Sequence, residues 1–344
     1  MAYWKENQLL FHNYLTGKVA AASPEVSAVL DFCHGWQSID AILKRWPEYT
    51  SKSLRANVRQ LTEQTLLELS KKRRPAESAK QRALKQWNEW NPAASFFHLS
   101  TKDAYSDEIS EGEVDYIAEL MESKSLPRPE KRYHRATVVE LPETLQDSEF
   151  TKVLRDRRTW RKFSSAKVKQ ETFSNLMQLS FAVQNWLTIP KVGKLARKTS
   201  PSGGALHPLE TYVMARRIEG VESGIYHYDA IGRKLQKIRE GLSTATIQKY
   251  LAGQWWFRDA AFVIFLTAVF GRTQWKYDYA RAYRAILIEA GHLCQTFCLT
   301  ATWLGLGPFC TIAIKDTAVE DALKINGISE SVIYAMGAGV KLKE

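Results

Sequence analysis

The stretch that most constrains the fold is AAFVIFLTAVF, residues 260–270, which is apolar at all but one position. A strand half-exposed to water alternates apolar and polar side chains, and this one does not. The run therefore predicts a central strand buried on both faces. It needs strand neighbours and a layer of cover on each side. Residues 211–216, 225–228, 234–238, 309–314 and 332–336 read as further strands, and 279–304 as a long helix. Together they predict an α+β sandwich from about residue 151 to 344, with no internal repeat.

The rest of the chain sets the organisation. Its 344 residues, 45% apolar and 25% charged, suit a globular protein of roughly two domains. The formal charge of +11 favours acidic partners such as phosphate-bearing cofactors, acidic peptides or nucleic acid, without choosing among them. The N-terminus lacks a basic segment followed by an apolar one, so no secretory signal is expected. No stretch of about 20 uninterrupted apolar residues is present. The nearest, 285–306, is broken by Glu289, His292 and Gln295 and reads as a buried helix. A cytoplasmic protein is the expectation. The four cysteines, Cys33, Cys294, Cys298 and Cys310, form no C-x-x-C and match no zinc-ribbon spacing. They read as small buried hydrophobes, and no metal is expected.

Residues 1–70 carry three helical patterns. Ser23 with Pro24, Ser38, and Ser51 or Ser53 stand where helices start. Val26, Val29, Leu30 and Cys33, then Ile39, Ile42 and Leu43, then Leu54, Val58 and Leu61 recur at helical spacing. A strand over 66–69 would complete a winged-helix-like module. Such modules bind DNA, and related ones bind peptides by strand addition. Lys52, Arg55 and Arg59 give a modest basic face. The basic run KKRRP at 71–75 reads as a solvated boundary. Residues 71–150 then form a helical and extended connecting arm packed onto the main domain. Trp87, Trp90, Phe96 and Phe97 argue for order, and Pro127, Pro129 and Pro142 for an extended connection.

Neither a dinucleotide-binding G-x-G-x-x-G, nor a P-loop, nor H-E-x-x-H is present. Four other elements stand out. RRTWRKF at 157–163 places Arg157, Arg158, Thr159 and Arg161 in one turn, a set suited to a phosphate. PSGGALHP at 201–208 (Pro201, Ser202, Gly203, Gly204, His207) is a turn whose glycines let backbone approach a flat ligand. Lys276 and Tyr277 lead into RAYR with Arg284, then EAGH. A desolvated lysine beside a tyrosine is a candidate base. His292, mid-helix, is expected to be a hydrogen-bonded core histidine. LGLGP at 304–308, with Gly305, ends the long helix.

In this order the elements resemble the nitroreductase-like flavoproteins. More narrowly they are similar to the SagB-type dehydrogenases, whose azoline-oxidising members mature ribosomal peptides. The resemblance covers about 150–340 and extends to WNEW and FHLSTKD between Trp87 and Asp103. It implies an α+β homodimer with FMN at the subunit interface. Arg157, Thr159 and Arg161 would approach the phosphate and ribityl chain, and Pro201, Ser202 and Gly203 the isoalloxazine ring. Arg284 is a second phosphate candidate, and Gly305 would meet the flavin's reactive edge. Lys276 and Tyr277 match a proton-abstracting pair, with hydride passing from the substrate to FMN. The implied partners are a peptide with its leader, or a cyclodehydratase, rather than nucleic acid or membrane. A different peptide residue or a heterocyclic metabolite as substrate, or a binding protein with an inactive flavin domain, are the alternatives.

Overall fold

A computed structural model describes residues 1–72, 76, 79–103 and 113–342. The chain divides into two compact units, Met1–Lys102 with Asp278–Tyr283, and Asp103–Tyr277 with Arg284–Glu344.

The first unit opens with strands β1 (Ala2–Lys5), β2 (Gln8–Asn13) and β3 (Lys18–Ala21), an antiparallel meander. Helices α1 (Glu25–Phe32), α2 (Ile39–Arg45) and α3 (Ser51–Glu63) follow. Ser38 caps α2 by accepting from the Ala41 N–H at 3.0 Å, as its position suggests. Two cap assignments change. Thr50, not Ser51 or Ser53, caps α3, and no side chain caps α1, whose N-cap is Pro24. The strand expected over 66–69 does not form; those residues are turn and coil. The three strands lie before the helices instead.

The stretch α4 (Ala79–Lys85), a 3-10 turn (Gln86–Trp90) and α5 (Asn91–Ser100) belongs to this unit. Trp87 and Trp90 are 2% and 0% exposed. Trp87 stacks on His98 at 5.2 Å, and His98 Nδ1 lies 3.0 Å from the Tyr283 hydroxyl. Phe96 meets Tyr3, His12 and Tyr14 edge-on. The aromatics of the expected arm thus pack on the meander and Tyr283. Most of the basic run at 71–75 lies outside the described residues.

In the second unit, α6 (Glu113–Ser123) leads to an exposed connection without regular structure over 124–147. Helix α7 (Glu149–Asp156) then starts on a reciprocal capping box between Ser148 and Thr151. The remaining elements are α8 (Gln170–Phe181), β4 (Asn185–Ile189), β5 (Gly193–Arg197), β6 (Leu209–Ala215), β7 (Gly224–Asp229), β8 (Lys234–Glu240), α9 (Thr244–Tyr250), β9 (Phe262–Val269), α10 (Phe270–Gln274), α11 (Ala282–Trp303), β10 (Gly307–Thr311), α12 (Asp316–Leu323) and β11 (Glu330–Gly339). Six strands form one antiparallel sheet in the order β10-β11-β9-β6-β7-β8. The apolar run is its central strand, β9, buried from Phe262 to Ala268. On one face Val263 and Phe265 pack with Ile247, Leu251, Val319 and Leu323 of the α9–α12 side. On the other, the Phe262 ring meets Phe173 of α8 and Phe297 of α11. The sheet is therefore covered on both sides, as the α+β sandwich requires.

Candidate functional site

Helix α11 organises the second unit's site. From its N-terminus, α11 passes first the PSGG turn, at Glu289, and then leads into the corner at Gly307 and Pro308 that holds the arginine turn.

At the PSGG end, Glu289 of α11 is 5% exposed and receives hydrogen bonds from the Ser202 hydroxyl and the Gly203 N–H. Ser202 Oγ also accepts from the His207 N–H at 2.9 Å. His207 Nε2 donates to the Ala196 carbonyl at 2.9 Å, and its Nδ1 lies 3.9 Å from Glu289. Burial pushes the Glu289 carboxyl up to about 7, against the Ser202, Lys198 and Gly203 contributions that favour the anion. Burial lowers His207 and Lys198 below their ordinary values. A network of this kind holds a turn in one shape. One step out, Lys276 and Tyr277 close on Gly204. A Cβ built there would lie 2.9 Å from the Tyr277 hydroxyl and 3.0 Å from Lys276 Nζ, and Gly204 has φ +68°. Only glycine fits. The Lys276 ammonium stands 5.2 Å from the Tyr277 ring centroid. Lys276 is exposed and Tyr277 half-buried. Arg284, also exposed, opens α11 at this end.

At the other end, the Trp160 N–H donates to the Pro308 carbonyl at 2.9 Å. The Trp160 ring lies so close to Gly307 that a Cβ there would come within 2.7 Å of it. This ties the arginine turn to the corner between α11 and β10, where Gly305 has φ +78°. Arg157 is half-buried; Arg158, Thr159, Arg161 and Gly305 are exposed. Arg158 Nη1 donates to the Arg157 carbonyl at 2.8 Å, so it braces the turn. Arg157 instead bears electrostatically on Cys298 and Cys310.

The structure thus brings Lys276 and Tyr277 to the PSGG turn, and ties the turn that carries Arg157, Thr159 and Arg161 through Trp160 to Gly307 and Pro308. Glu289 and Cys298, the α11 residues beside the two groups, are about 13 Å apart along the helix. Arg284 stands at the PSGG end, away from the arginine turn along the same helix. His292 is exposed, which corrects the core placement expected of it: it shares α11's outward side with Ile288, 58% exposed. Sequence reasoning passed over the bracing part of Glu289 and the electrostatic contribution of Lys198 beside it. Only a buried carboxylate text, E-A-G-H, signalled the first, and nothing signalled the second.

Residues 154–340 match the Nitroreductase family. The trifolitoxin-processing protein TfxB of Rhizobium leguminosarum bv. trifolii is 31% identical over 165 residues, 46% of this chain and 44% of TfxB. The microcin B17-processing protein McbC of Escherichia coli is 28% identical over 166 residues, 43% of this chain and 60% of McbC. Each alignment spans less than two thirds of the relative's own length. Among solved structures, the E. coli microcin synthetase McbBCD complex with truncated pro-MccB17 bound aligns with a TM-score of 0.55 at 19% identity, covering 76% of this chain and 97% of the matched one. The family model spans more than half of the chain and the fold agrees with it: the chain belongs to the Nitroreductase family, an oxidoreductase family.

Proposed function

We propose that the protein is an FMN-dependent dehydrogenase that oxidises azoline rings to azoles in a ribosomally made peptide. The observation that carries this reading is the convergence of Lys276 and Tyr277 on Gly204 of the PSGG turn. It puts the two side chains proposed as the base against the turn suited to a flat ring. The peptide-processing names of TfxB and McbC support a peptide substrate.

The donor set fits FMN. Half-buried Arg157 with exposed Thr159 and Arg161, on the turn tied to the Gly305 corner, offer cations and a hydroxyl for the phosphate and ribityl chain. Pro201, Ser202 and Gly203, held by Glu289 and His207, offer a fixed backbone for the ring. When bound, FMN supplies the two-electron acceptor for hydride from the azoline. The chain's own task is to hold the peptide and take the α-proton. Lys276 is exposed, so desolvation has to come from a covering substrate or a second subunit.

The same geometry supports a homodimer. The two groups lie at different levels of α11, and that helix presents Leu287 and Ile288 to solvent. A second copy packed there would cover both and join the arginine turn of one protomer to the PSGG turn of its partner. In the first unit, β3 pairs only with β2 among the described residues. Beside it lies a cavity of about 600 Å³ lined by Val26, Val29, Trp46, Leu54 and Val58. An open strand edge over an apolar groove suits strand addition by a leader peptide. The test is direct: FMN-loaded protein is incubated with an azoline-bearing peptide. Azole formation, read as loss of a hydrogen pair per ring, is expected; no conversion by flavin-loaded protein overturns the azoline reading.

A further inference from the structure

Three of the chain's four cysteines meet in one place. Helix α11 sets Cys294 and Cys298 one turn apart on its inward face. The chain then reverses at Gly305 and returns as the edge strand β10, which carries Cys310. The three sulfurs all lie within 4.8 Å of one another. Cys294 and Cys298 are buried and Cys310 is half-buried, which leaves a route for an ion from the sheet edge. The thiols hydrogen-bond to one another, and the Tyr334 hydroxyl of the neighbouring strand donates to Cys310. No carboxylate or imidazole joins the group among the described residues.

All-sulfur donor sets select soft cations over Mg²⁺ or Ca²⁺. Zinc–thiolate bonds of about 2.3 Å put tetrahedrally disposed sulfurs about 3.8 Å apart. Closing from the observed spacing needs shifts of about 1 Å or less per side chain, within reach of cysteine rotamers. Charge also fits. Three thiolates around Zn²⁺ leave one negative charge, and Arg157 is the cation that bears on Cys298 and Cys310. We propose that Cys294, Cys298 and Cys310 form a three-thiolate site for one Zn²⁺, which pins the reversal between α11 and β10 behind the arginine turn. The fourth coordination position is left to water or a small thiol. The site does not depend on flavin or on any substrate.

The experiment uses the full chain, reduced and stripped with a chelator, then loaded with Zn²⁺ and desalted. One zinc per chain is expected, held equally by the Cys33→Ser protein. Cys310→Ser should weaken binding more than about a hundredfold, beyond the loss typical of an outer-sphere change. Cadmium loading of the unmutated protein should give a thiolate-to-metal absorption band, which needs no variant to fold. No retained zinc, no cadmium–thiolate band, or equal retention by a folded Cys310→Ser protein would each overturn the site.

Discussion

Lys276 and Glu289 both meet the PSGG turn, and their removal should read differently. If Lys276 takes the substrate proton, Lys276→Ala lowers turnover about 10²–10⁴-fold, with flavin content unchanged. Full turnover by that variant would remove it from the reaction. Glu289 is a matter of stability and pH. Its folded pKa is raised to about 7, from an ordinary 4.5, by burial. Between those values the folded state holds a proton that the unfolded chain has released. Stability contributed by this group is therefore present at low pH and lost as pH rises from about 4.5 to about 7, by up to about 3 kcal/mol. His207, lowered by burial, works in the opposite sense below its ordinary value. The difference between the native protein and Glu289→Gln isolates the carboxyl: urea midpoints of the variant should depend less steeply on pH across that window. Identical pH dependence would show that Glu289 ionises as in water. At this scale the sequence was half legible. Lys276, Tyr277 and Gly204 could be named because each residue type carries its chemistry. The Glu289 brace and the meeting of Cys310 with Cys294 and Cys298 depend on a chain reversal that spacing does not show.

Strand β9 shows what patterning reveals well. Buried on both faces between β11 and β6, it could be read from composition alone. Phe265 is fully buried and packs in the cluster with Phe309 and Val332. Phe265→Ala should cost about 3–5 kcal/mol, seen as a lower urea midpoint at unchanged slope for the transition of the sheet unit. A change below about 1 kcal/mol would mean the site is less tightly packed than drawn. The N-terminal meander shows the converse. Its first hairpin turns through Glu6 and Asn7, at φ 49° and 63°, a geometry that favours Asn-Gly or Asp-Gly pairs. The sequence Glu-Asn gives little sign of it, and strands of four to six residues show little alternation. The helices that follow were legible from their 3.6-residue spacing, while the expected strand over 66–69 was not supported by any partner edge.

The whole molecule carries two predictions. Ile288 stands 58% exposed on α11, where an apolar side chain in an isolated chain would face water. If a second copy covers it, Ile288→Glu should shift sedimentation from dimer to monomer and lower flavin retention together. A native protein that sediments as a monomer while holding FMN would separate cofactor binding from the dimer. The most direct test of the central claim is the absorption spectrum of the purified full-length chain after incubation with FMN and desalting. A yellow protein with the bands of oxidised flavin is expected, the bands lost on Arg157→Ala with Arg161→Ala. A colourless protein that cannot be loaded with FMN would contradict that claim.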